Sequence, residues 1–89
     1  GDLRKLDPFF HGFLAEEAME TGNWDEAQKE IKQALKLQPY EPEFHLAQAR
    51  IHLQQGREDA AVKSLKEARR WSIPKERERF DAKLSALQK

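Results

Sequence analysis

Apolar residues recur at three- and four-residue steps through most of this chain, and glycine or proline interrupts each run, the pattern of helices with one buried side. Asp7-Pro8 reads as an N-cap followed by proline at the first helical position, where a missing N–H costs nothing. Phe10, Phe13, Leu14, Ala18 and Met19 follow at helical spacing, and Thr21-Gly22-Asn23 supplies a left-handed stop, so a first helix is expected over about 8–20. Asn23 caps a second helix over about 24–37, with Glu26 placed as in a capping box and Trp24, Ala27, Ile31, Ala34, Leu35 and Leu37 forming its stripe. Gln38-Pro39-Tyr40-Glu41-Pro42 ends it, because a helix interior rejects proline.

The next run is less regular. Phe44, Leu46, Ala47, Ala49, Ile51 and Leu53 come close to strict alternation, which alone would suggest a strand. The segment is too long for a typical strand and Ile51 is its one β-branched residue, so it is read as a helix over about 41–54. Gln55-Gly56-Arg57 makes a tight turn, and Ala60, Ala61, Leu65, Ala68 and Trp71 mark a fourth helix over about 58–71. After Ile73-Pro74, Phe80, Leu84 and Leu87 define a last helix over about 75–88, heavily charged elsewhere, as a terminal cap facing water would be. Residues 1–7, with Leu3 and Leu6, form an N-terminal stub or short cap.

The runs repeat at an interval of 34 residues: Pro8, Phe10, His11, Ala15, Gly22, Ala27, Ile31 and Ala34 return as Pro42, Phe44, His45, Ala49, Gly56, Ala61, Leu65 and Ala68. A period of this length marks stacked helical hairpins, each relying on its neighbour to cover its apolar face. The units are expected at 8–41 and 42–73, with the cap at 74–89. Leu14, Ala15, Gly22, Trp24, Ala27, Ile31, Ala34 and Pro39 in the first copy, and Ala49, Gly56, Ala61, Leu65 and Ala68 in the second, resemble the tetratricopeptide repeat family. The resemblance implies an all-α fold, an α-α superhelix of two antiparallel hairpins with a capping helix. Gln48, His52, Glu58 and Ile73 depart from it, standing where Leu14, Ala18, Trp24 and the family's proline do, and loosen the second copy.

The resemblance also implies a concave groove lined by the first helix of each pair. Its positions fall on Phe9, Gly12, Glu16, Met19 and Glu20 in the first repeat and on Glu43, Leu46, Arg50, Leu53 and Gln54 in the second. Phe9, Met19, Leu46 and Leu53 are then apolar residues on a face the fold does not bury, with Glu16, Glu20, Arg50 and Gln54 setting register and polarity. The alternative placement has Leu46 and Leu53 in the core of a rotated second hairpin, or covered by the terminal stub. Gly12, Glu16, Leu46 and Arg50 do not provide the Lys and Asn pair with which a subfamily grips a C-terminal carboxylate, so an apolar or mixed ligand is expected.

Composition narrows the chemistry. The chain has 89 residues, room for one small domain, and no cysteine, which removes disulfides and thiolate metal sites. No apolar run approaches the length needed to cross a bilayer, and the sequence leaves no sign of compartment. It opens on Gly1 rather than methionine, as a processed or excised segment would. Ser64, Ser72 and Ser85 have no His and acid nearby, and His11, His45 and His52 lack an acidic cluster beside them, so neither catalysis, cofactor nor metal is expected.

Net charge is zero but divided: residues 1–56 carry six Lys or Arg against ten Asp or Glu, and residues 57–89 carry ten against six. The expected role is a non-enzymatic protein-interaction module taking a peptide or partner helix. The first alternative is a homodimer or an assembly segment of a larger protein, and the Gln55-Gly56-Arg57 turn resembles many bacterial repeats. The second is a nucleic-acid adaptor using Lys63, Lys66, Arg69, Arg70, Lys75, Arg77 and Arg79, although Glu67, Glu76, Glu78 and Asp81 interrupt that set.

Overall fold

Two prolines and two glycines set the frame. The computed structural model describes residues 2–88, so Gly1 of the stub and Lys89 of the cap lie outside the described residues. Five α-helices follow: α1 (Pro8–Glu20), α2 (Trp24–Leu37), α3 (Pro42–Gln54), α4 (Glu58–Trp71) and α5 (Arg77–Leu87), with 3₁₀ turns at Leu3–Leu6 and Pro74–Glu76. There is no strand among the described residues, and no helix there is long and apolar enough to cross a membrane. The third helix starts at Pro42 rather than at residue 41, since Glu41 is extended and caps it. The last helix is shorter than expected because Pro74 opens a 3₁₀ turn before α5.

Within each hairpin the turn is a single hydrogen-bonded unit. Gly22 and Gly56 adopt φ values of 76° and 73°, the left-handed region. Gly22 N–H donates to Met19 O and Asn23 N–H to Ala18 O, and in the second copy Gly56 N–H donates to Leu53 O and Arg57 N–H to His52 O. The residue that closes one helix therefore also opens the next. Asn23 completes the role by accepting from Glu26 N–H at 3.3 Å, whereas Arg57 makes no such bond with its side chain.

Hairpin α1–α2 stacks on hairpin α3–α4 through α2 and α3, with α1 also touching α3, and α5 covers α4, giving a slab of 46 × 28 × 17 Å. Alanines occupy the helix crossings: Ala15, Ala27, Ala34, Ala61 and Ala68 are 0% exposed and Ala49 is 1%. Two clusters make up the core. Ile31, Met19, Phe44, Ala47 and Ile51 pack in the first, and Leu65, Phe80, Leu84 and Ala49 in the second. Helix α3 contributes to both, which spreads its apolar residues around its circumference and produces the near alternation seen in the sequence. Where α1 meets α3 the approach is close: a Cβ on Gly12 would lie 2.7 Å from Phe44 Cε1.

The repeated histidines share a task. His11 Nε2 lies 2.9 Å from Lys5 O and His45 Nε2 lies 2.7 Å from Pro39 O, so each ties its helix to the carbonyl six residues upstream. His11 Nδ1 also meets Glu30 Oε2 on α2 at 2.9 Å. A carboxylate and a carbonyl thus face the two ring nitrogens, an arrangement that favours the protonated ring. The Glu30 bond and the Lys5 carbonyl raise its pKa above the ordinary 6.5. His52 behaves oppositely: burial, with Arg57 and Lys32 adding repulsion, lowers its pKa from 6.5. It accepts from Gln48 Nε2 at 3.1 Å, so two of the family departures pair with each other, while Gln48 Oε1 and His52 Nδ1 remain buried without a protein partner.

Two expectations follow from these groups. His11 stabilises the fold below pH 6.5 and that contribution is lost as pH rises through its higher folded value; His52 stabilises above pH 6.5 and that contribution is lost as pH falls through its lower folded value. The thermal midpoint should therefore be highest near pH 6.5, and in His11→Gln the decline on the alkaline side should disappear. Restoring the first copy's residues with Gln48→Leu and His52→Ala together should stabilise the domain by about 1–2 kcal/mol in urea unfolding, since both unpaired polar atoms go at once. Either change alone strands the other side chain and should gain less.

Candidate functional site

The groove positions lie on the first helices of the two hairpins, and most are on one face. Leu46, Arg50 and Leu53, spaced at three and four residues on α3, line a hollow of about 230 Å³ together with Ala49, Leu65 and the α5 residues Lys83, Ala86 and Leu87. Leu53 is 39% exposed, and Leu46 is half-buried against the second core cluster. The rotated-hairpin placement therefore holds in part for Leu46 and not for Leu53.

A second hollow, of about 270 Å³, lies between α1 and α3 and is lined by Phe9, Gly12, Phe13, Glu16, Glu43 and Phe44, among others. Phe9 leans on Phe44 with ring centroids 5.2 Å apart, yet it remains 58% exposed, and Phe13 is 57% exposed. Glu16 and Arg50 reach across from α1 to α3 with a separation of 3.6 Å, linking a residue of each hollow. Both are about half exposed, so the pair is weakly held.

Met19 does not belong to this face. It is 5% exposed and packs in the first core cluster, correcting its expected place as an apolar groove residue. The wide turn of apolar residues on α1 is the cause: Ala18 and Met19 together point at the interior near the hairpin turn, where α2 covers them. Glu20 and Gln54 are exposed near the ends of α1 and α3 and line neither hollow.

Phe13, Lys83 and Leu87 are the residues that sequence reasoning missed. Phe13 follows Phe9 by one helical turn and so shares its side, a signal present in the sequence. Lys83 and Leu87 depend on how α5 lies, which the repeat does not encode.

Helix α5 is fixed from two directions. Phe80, 1% exposed, and Leu84 enter the second core cluster. Arg79 donates to Glu43 on α3 at 2.7 Å and to Glu76 at 3.4 Å, contacts that raise its pKa, the Glu43 bond foremost. Arg69 of α4 bonds Asp81 of α5. Trp71 meets Tyr40 in a tilted pair with ring centroids 4.4 Å apart and donates to Glu67 at 2.9 Å. With Ile73, this pair borders a third, open hollow of about 460 Å³ at the junction between the hairpins and the cap.

The chemistry of these surfaces is that of contact. Among the described residues no three His, Asp or Glu side chains are grouped as a metal ion would require, and the three histidines are engaged with Lys5 and Glu30, with Pro39 and with Gln48.

A search of curated proteins gave no match. The tetratricopeptide repeat profile, however, matches residues 14–72, well over half of the chain, and its span runs from the middle of α1 to the end of α4. Six repeated alanines buried on α1–α4, a 34-residue period and paired helical hairpins agree with that match, and the chain belongs to the tetratricopeptide repeat family.

Proposed function

We propose that this chain is a non-catalytic interaction module that receives a peptide or a partner helix along the face formed by α1, α3 and α5. Tetratricopeptide repeats are in general protein-interaction modules. The observation that carries the reading to this face is the α3–α5 hollow: Leu53 is 39% exposed beside Leu46 and Leu87, and among the described residues no side chain fills the space. Phe9 and Phe13 extend the apolar surface over α1, and contiguous apolar surface of this kind marks contact sites on soluble proteins.

A second reading has its own support. Leu3 and Leu6 are 79% and 69% exposed beside the open side of α1, and the two halves of the chain carry opposite net charge, which favours association of one copy with another. The nucleic-acid reading is weakened by pairing: Arg69, Arg70 and Arg79 have Asp81, Glu67 and Glu43 as partners.

Leu53→Glu is the informative variant, because the side chain is accessible and its loss should change stability by no more than about 0.5 kcal/mol. Proteins captured from a cell lysate by the immobilised wild-type domain and identified by mass spectrometry should be lost with Leu53→Glu and retained with the α4 surface change Lys63→Glu, while helical circular dichroism is the same in all three. Identical capture by Leu53→Glu would move the contact surface elsewhere. Leu46→Glu should lower the melting temperature as well, since Leu46 is half-buried. Light scattering over a range of concentrations separates the second reading, for which mass should rise with concentration and fall back in Phe13→Glu.

A further inference from the structure

Granting that the α1–α3–α5 face binds a partner segment, as proposed above, we infer that the α3–α5 hollow selects a segment pairing a leucine- or phenylalanine-type side chain with neighbouring aspartate or glutamate. The two hollows of the face differ in the sign of the charge at their rims. Arg50 and Lys83 stand over the α3–α5 hollow, and no acid among the described residues lines it. Glu16 and Glu43 stand over the α1–α3 hollow, and no base among the described residues lines it, although Arg50 and Arg79 pair with these two acids from outside it. The face is therefore apolar in both hollows, and Lys83, the charge on it that has no ion-pair partner among the described residues, stands at the α5 end.

Lys83 is the residue that turns this polarity into a binding preference. Among the described residues it makes no ion pair, nor do Lys75 and Arg77 earlier in the cap, while Arg79 of the same helix is held by Glu43 and Glu76. Its own helix offers no acid one turn away: positions three and four removed are Arg79, Phe80, Ala86 and Leu87. Its ammonium is exposed beside an apolar hollow, so a carboxylate placed there by an anchored apolar side chain would meet an unpaired cation at the rim. Arg50 strengthens the preference. Its contact with Glu16 is long, at 3.6 Å, and exposed, so an incoming carboxylate can compete for the guanidinium, freeing Glu16 for a base at the other end of the segment. A basic-apolar segment over the same hollow would place like charges together.

The test uses a random twelve-residue peptide library displayed on phage and panned on the full chain. Recovered peptides are then made synthetically with a fluorescein label and measured by fluorescence anisotropy. Recovered sequences should pair Leu, Phe or Ile with an excess of Asp or Glu, and affinity should fall as salt is raised. Lys83→Glu should weaken the best peptide by about tenfold or more, and Lys83→Arg should keep its affinity.

Helical circular dichroism should be unchanged in both variants, since the side chain is exposed. Peptides without acidic excess, or equal affinity in Lys83→Glu, would overturn the charge preference; if Leu53→Glu still abolished their binding, the groove reading would stand. Peptides indifferent to Leu53→Glu and Lys83→Glu alike, or a library that yields no binder, would overturn both. Concentration-dependent mass that vanishes in Lys83→Glu would make a second copy the occupant in place of a foreign segment.

Discussion

The arrangement depends on how closely helices can approach at six alanines. Ala15, Ala27 and Ala34, and their counterparts Ala49, Ala61 and Ala68, have almost no exposed surface. At those points a side chain longer than a methyl group would force backbones apart, and with them every larger residue packed around the crossing. Ile31 and Leu65 fill the space next to the alanines in the two copies and are themselves 1% and 2% exposed. Close approach by small residues and filling by large ones form a single constraint, and the 34-residue spacing writes it twice.

The copies nevertheless differ in surroundings, and the differences come from position in the stack. Phe10 and Phe44 are equivalent in sequence, yet Phe44 is buried against α1 at Gly12, while Phe10 stays half-buried under the guanidinium of Arg4 in the N-terminal 3₁₀ turn. α3 packs against α1, α2 and α4 and is apolar on more than one side, whereas the buried residues of α2 (Ala27, Ile31, Ala34) and of α4 (Ala61, Leu65, Ala68) keep to one stripe each. A central helix in such a stack loses the clean amphipathic stripe by which sequence reading recognises helices, so the repeat register was the better guide to α3 than its own periodicity. The same effect explains Phe13: it keeps the helical spacing of the α1 stripe but faces outward, where a further hairpin would lie in a longer array.

Helix order, both glycine turns, the caps at Asp7 and Asn23 and the alanine crossings were all legible in the sequence, because each rests on local geometry or on an internal copy. The face containing Phe9, Glu16, Leu46, Arg50 and Leu53 was legible only through the family resemblance. Met19 shows the limit of that transfer: a groove position in the repeat became a core position here, where Ala18 beside it is too small to close the interior near the turn. The share of α5 in the α3–α5 hollow was not legible at all. Nothing in the periodicity of Phe80, Leu84 and Leu87 states that Lys83 will project toward α3; that follows from Phe80 entering the second cluster and from the Arg79–Glu43 bond, both long-range.

The link from each repeated histidine to the carbonyl six residues before it carries a consequence for growth of the array. Because the incoming strand of chain is fastened by a side chain belonging to the hairpin it enters, every unit brings its own fastening, and the unit before it needs no matching residue beyond a backbone oxygen. Tandem duplication of such a unit in the gene would yield a correctly joined neighbour at once, with no second mutation required at the seam. Lengthening by whole units is then an easier evolutionary step for this architecture than altering the joint itself.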